Sequence, residues 1–195
     1  MTDRLAKAPA PVAHRPGWLR RFIRTYLIER TLWRVPRTDK VLDLCCGHGF
    51  YFSINPHAHG VDGDPESLTV LRGRGHAVVQ SDVLQGLPYR DGAFESVIAH
   101  DVLEHFTFDE LTRLLTEVHR VLAPRGTFLV FVPNRKGYDF GVDIRVGHQL
   151  FVTQVEIRQL IAGKFALRRN YPEPLPRWIG QYFTHNKEVF ELERL

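Results

Sequence analysis

The chain has 195 residues, 44% apolar and 25% charged, with a formal net charge of +4. That supplies one domain with a real core and excludes global disorder. No apolar run approaches the ~20 residues of a membrane-spanning helix, and the adjacent pair Cys45 and Cys46 suits neither a disulfide scaffold nor a zinc site.

Residues 1–16, rich in Ala and Pro, read as a flexible tail. They carry no apolar stretch of a secretory kind, so the chain is read as cytoplasmic. Over 17–36 the sequence predicts an N-terminal helix. Trp18, Leu19, Phe22, Ile23, Tyr26 and Leu27 share one face, and arginines fill the other. Between 14 and 37 stand Arg15, Arg20, Arg21, Arg24, Arg30, Arg34 and Arg37 against a single acid, Glu29. This helix is read as core packing, as a lid over a cleft, or as a contact for an anionic substrate or membrane surface. The overall charge is too mild to argue for nucleic-acid binding, and none is expected.

Residues 37–195 form the main domain. KVLDLCC (40–46) reads as a buried strand ending in a glycine turn. HAHGVD (57–62) is a second strand, ESLTVLRGRG (66–75) a helix, HAVVQSD (76–82) a third strand and AFESVIAHD (93–101) a fourth. FDELTRLLTEVHRVLAPRG (108–126) is the clearest helix, and TFLVFVPN (127–134) a fifth strand. A loop over 135–152, a helix over 152–163, a strand over 164–170 and a proline-rich connector over 172–178 follow. HNKEVFELERL (185–195) alternates apolar and charged residues, which predicts an edge strand. Strands alternating with helices predict an α/β fold with a doubly wound, mostly parallel sheet.

Ligands of such sheets bind beyond the carboxyl ends of the strands. Polar residues stand at four of these ends: Asp43 before Gly47 and Gly49, then Asp62, then Asp82, then His100 and Asp101. An acid at the second end can accept from both hydroxyls of a ribose. Together they describe a nucleoside-sized cleft. The glycine turn lacks the third glycine of a dinucleotide fingerprint, with Phe50 and Tyr51 where a pyrophosphate needs room, and there is no triphosphate loop.

VLDLCCGHG, HGVDGD, SDVLQGLPYRDGAFESVIAHDVLEHF and RVLAPRGTFLVFVPN resemble, in order and spacing, the class I S-adenosylmethionine-dependent methyltransferases. The likeness spans about residues 38–170 and is greatest to the small-molecule branch that includes quinone-biosynthesis enzymes. It implies a Rossmann-like fold, S-adenosylmethionine as cofactor, S-adenosylhomocysteine as product, and a small-molecule acceptor with an O, N or C nucleophile. It implies that Asp43, Cys45, Gly47 and Gly49 hold the methionine end, Asp62 with Gly63 the ribose, Asp82 with Val83 the adenine, and that His100 faces cofactor and acceptor. The family usually has glycine at Cys45. The segment before Asp62 is short and contains Pro56, so the first helix is expected to be stunted.

Methyl transfer is an in-line displacement in which the protein supplies position, and a general base helps when the nucleophile carries a proton. His105 and His148 are the candidate catalytic bases. Asp101 and Glu104 are read as supporting them. No Asn/Asp-Pro-Pro-Tyr/Phe tetrapeptide follows the fourth strand, which speaks against methylation of an exocyclic base amine. The alternatives are a cofactor-binding module without turnover, and a methyltransferase acting on RNA or protein.

Overall fold

A computed structural model describes residues 32, 34–133, 154–173 and 187–195. The element order is β1 (Val41–Leu44), β2 (His59–Asp62), α1 (Pro65–Gly73), β3 (Ala77–Gln80), β4 (Phe94–His100), α2 (Phe108–Val121), β5 (Leu122–Pro133), α3 (Gln154–Ile161), β6 (Phe165–Glu173) and β7 (Lys187–Arg194). Short 3-10 turns lie at Tyr51–Ser53 and Leu103–His105. The first of these stands where a full helix would normally follow the glycine turn.

The seven strands form one sheet in the order β3-β2-β1-β4-β5-β7-β6. β1 to β5 run parallel, whereas β7 pairs antiparallel with both β5 and β6. The mostly parallel Rossmann-like sheet is therefore as expected. β7 is not an edge strand, however. It lies between β5 and β6, and Val189, Phe190 and Leu192 are all fully buried. The predicted flexible tail (1–16), residues 17–31 and 33 of the predicted N-terminal helix and lid (17–36), and the loop with His148 lie outside the described residues. Leu32 and Val35 are described and buried, so this end of the chain does enter the core.

Local chemistry explains the helix boundaries. Asp64 caps α1 by accepting from the N–H groups of Glu66 and Ser67, and Pro65 opens the first turn. Thr107 and Glu110 form a reciprocal capping box at the start of α2. α2 buries Leu111, Leu114, Leu115, Val118 and Val121 against one face of the sheet. It ends at Val121, not at Gly126 as the sequence suggested. Pro124 forces Ala123 towards extended backbone, so the strand conformation begins already at Leu122.

Apolar residues pack in two clusters. One gathers Leu42, Val97, Val130 and Phe190 with α2 and α3. The other gathers Val41, Ile98, Leu129 and Phe131 with Phe52 and Leu71. Alternate residues of β1, β4 and β5 thus serve opposite faces, as a buried parallel sheet requires. Phe190 is fully buried, so Phe190→Ala should lower unfolding free energy by about 3–5 kcal/mol, read as an earlier urea midpoint.

Candidate cofactor and acceptor site

The site begins where β1 ends. Cys45 leaves the strand at φ 53, and Gly47 and Gly49 follow at φ 47 and φ 77. These three left-handed residues turn the chain sharply as it leaves β1. The two glycines serve different ends. A Cβ at Gly49 would come 2.4 Å from Leu71 Cδ2 and 2.9 Å from Phe52 Cδ2, so that position is closed by packing. A Cβ at Gly47 would meet nothing within 4 Å. Gly47 therefore borders open space that a ligand can approach.

Asp62, at the exit of β2, holds this turn in place. Its Oδ2 accepts from the Gly47 N–H at 2.7 Å, and its Oδ1 accepts from the Asp64 N–H at 2.9 Å. Each carboxylate oxygen keeps a second lone pair for a hydroxyl donor. The Ser81 N–H donates to the Asp62 carbonyl at 3.0 Å, which brings the exit of β3 alongside. Asp82 there is exposed and accepts from the Leu84 N–H at 3.0 Å, while Val83 is buried.

Asp43 lies within β1, 5% exposed. Burial, reinforced by the Asp62 carboxylate, pushes its carboxyl up to about 8. Burial, with Asp62 next, likewise pushes the Cys45 thiol up to about 12, and the Cys46 thiol is raised as well.

The fourth strand end closes the other side. His100 sits between aromatic rings, 5.7 Å from Phe50 of the glycine turn and 5.1 Å from Phe131 of β5, centroid to centroid. Asp101 follows at φ 57 and pairs with Lys187. Glu104 is 3% exposed, and burial, then the Asp101 charge, pushes its carboxyl up to about 7. His105 is exposed on the turn beyond.

The loop between β3 and β4 is fixed by Arg120 of α2. Its guanidinium donates to the carbonyls of Leu87 and Tyr89 at 2.9 and 2.8 Å, to Asp91 at 2.8 Å, and to both oxygens of Glu117. Glu117 in turn accepts from the Leu87 N–H at 2.9 Å. Sequence reading missed this clamp. Nothing in the spacing of that helix marks Arg120 or Glu117, and only the fold brings residues 87–91 against them.

Residues 42–130 match the methyltransferase domain family. Probable tRNA methyltransferase 9B of Mus musculus is 37% identical over 95 residues, covering 47% of this chain and 21% of that protein. An uncharacterized methyltransferase of Synechocystis is 33% identical over 126 residues, covering 60% of this chain and 58% of that one. The crystal structure of an S-adenosylmethionine-dependent methyltransferase from Archaeoglobus fulgidus superposes with a TM-score of 0.67 at 16% identity, covering 90% of this chain and 94% of that one. Residues 42–130 are thus those of a methyltransferase domain, and the fold as a whole is shared with S-adenosylmethionine-dependent methyltransferases of known structure. It spans about a fifth of the tRNA methyltransferase and just over half of the cyanobacterial protein.

The family's cofactor is S-adenosylmethionine, and the cradle fits it. The open space at Gly47 lies beside the Asp62 carboxylate, with Asp82 at the next strand end, and so offers carboxylate acceptors of the kind that a nucleoside's hydroxyls can use. Asp43, Cys45, Gly47, Gly49, Asp62, Gly63, Asp82, Val83 and His100 all fall on the exits of β1 to β4 or the turns that follow them.

One expectation is corrected. No nucleic-acid partner was expected, yet the relatives include proteins named as tRNA methyltransferases. A net charge of +4 averages over the whole chain and carries no information about a local surface. Among the described residues, no helix is long and apolar enough to cross a membrane.

Two predictions follow from this geometry. Arg120→Lys keeps the charge and loses the fork that spans two carbonyls and two carboxylates, so it should cost about 1–3 kcal/mol of stability in urea titration. The second concerns Asp43. Between its ordinary 3.8 and about 8 the unfolded chain releases a proton that the folded chain keeps, so stability contributed by this group falls as pH rises across that window. Asp43→Asn should therefore flatten the fall of Tm of the ligand-free protein between those pH values. An unchanged slope would contradict the buried, protonated carboxyl.

Proposed function

We propose that this chain transfers the methyl group of S-adenosylmethionine to an RNA acceptor. The observation that carries the transferase reading is the open, ribose-ready cradle at Gly47 and Asp62. The relatives named as tRNA methyltransferases support the RNA acceptor. The seven arginines between residues 14 and 37 support it too, because phosphate backbones are bound chiefly by such charges.

When bound, the cofactor supplies a methyl group already activated on a sulfonium. The chain's residues then have three tasks. Asp62 and Asp82 orient the nucleoside, the glycine turn lets the backbone approach the methionine end, and the β4 exit borders the incoming nucleophile. Asp43, protonated near neutral pH in the free protein, gains a reason to ionise when a cation enters beside it.

The test is transfer from methyl-labelled S-adenosylmethionine to unfractionated tRNA, in parallel with a protein extract and a metabolite extract. Label should appear in ribonuclease-sensitive material and should fall steeply with added salt. Label confined to the metabolite or protein extract would overturn the RNA acceptor. Stabilisation by S-adenosylhomocysteine with label in no extract would favour a binding module without turnover.

A further inference from the structure

The exit of β4 holds a charged cluster that reaches from His100, at the border of the cradle, to β7. His100 and Asp101 come from the end of β4, Glu104 and His105 from the turn after it, and Lys187 from the start of β7. Lys187 lies 86 residues from Asp101 in sequence and outside the segment that matches the methyltransferase family. Its side chain is only 14% exposed, and its ammonium donates to Oδ1 of Asp101. The other oxygen of that carboxylate lies 3.4 Å from Nδ1 of His100.

The backbone supports the same arrangement. Asp101 adopts a left-handed conformation that residues other than glycine rarely take. Its N–H donates to the Phe131 carbonyl at 3.1 Å, which pins it to β5. Its carboxylate thus stands as a bridge, with an ammonium on one oxygen and an imidazole on the other. The imidazole borders Phe50 of the glycine turn, so the bridge links β7 to the cofactor side of the cleft.

We propose that Lys187 is a positioning residue for the acceptor end of the site: by holding one oxygen of Asp101 it aims the other at Nδ1 of His100, and so sets the orientation and charge of the imidazole. The proposal rests on the methyltransferase reading. It gives β7, outside the matched segment, a direct part in the site. Burial by itself would raise Asp101, but Lys187, with His100 and His105, outweighs it and keeps the carboxylate ionised. Glu104, buried nearby, feels both the Asp101 carboxylate and the Lys187 ammonium.

The experiment follows the His100 imidazole by NMR pH titration in the full chain, with and without S-adenosylhomocysteine. Lys187→Met keeps much of the apolar stem and removes the charge that opposes a second cation. The His100 midpoint should rise by roughly one pH unit. Lys187→Arg should restore the parental value, and Asp101→Asn should move it down. Lys187→Gln serves where the Met variant does not fold. A folded, charge-less variant with an unchanged His100 midpoint overturns the proposal, even if it is less stable. In the transfer assay on unfractionated tRNA, Lys187→Met should lower kcat by about tenfold, with the affinity for S-adenosylhomocysteine kept. If the parent chain labels no tRNA, the RNA reading falls, and the imidazole midpoint still decides the role of Lys187.

Discussion

A single carboxylate joins the parts of this site. Asp62 accepts from the Gly47 N–H with one oxygen and from the Asp64 N–H with the other. The first bond fixes the turn after β1 and the second fixes the entry to α1. The parallel register makes this possible, since Leu44 lies beside Val61 and the two strands end together. A carboxylate accepting charge-assisted bonds from backbone amides is a strong local tether. Without it, the turn from Cys45 to Gly49 would keep the Cys46 N–H bond to the Val61 carbonyl as its tether to β2, and the Gly47 backbone would lose its own.

The same parallel arrangement accounts for what the sequence reveals. Short apolar runs over 40–46, 57–62, 76–82 and 93–101 read directly as strands; those of β1 and β4 are buried because both faces of the central sheet are covered, whereas β3, at the edge, is mostly exposed. The glycine turn was legible because it needs residues that tolerate positive φ. Cys45 is the departure, and it adopts φ 53 all the same. The position of β7 was not legible. Alternation of Phe190 and Leu192 with charges suggested one solvated face, and nothing local says that a later strand inserts between β5 and β6. The end of α2 was misjudged for a different reason. Its apolar spacing continues through Leu122, but the constraint that Pro124 places on Ala123 acts earlier than the proline itself.

The long-range polar contacts were invisible for a simpler reason. Arg120 meets residues 87–91, and Lys187 meets Asp101, only after the sheet order is set. Both partnerships act on loops at the carboxyl edge. Arg120 secures the loop between β3 and β4, and Lys187 pairs with Asp101 at the exit of β4. Acceptor choice in a shared fold resides in such additions to the common strands.

The two neighbouring cysteines lend the glycine turn a further property. Burial and three nearby carboxylates keep the Cys45 thiol protonated far above neutral pH, and the Cys46 thiol is held protonated in the same way. Thiolates, not thiols, react with alkylating agents and oxidants. In the folded turn the thiolate of both sulfurs is disfavoured, Cys46 being buried and Cys45 partly so. Exposure of the turn to water would remove that penalty. The rate at which they accept a thiol reagent is thus expected to follow the exposure of the glycine turn, with no residue needing to be replaced.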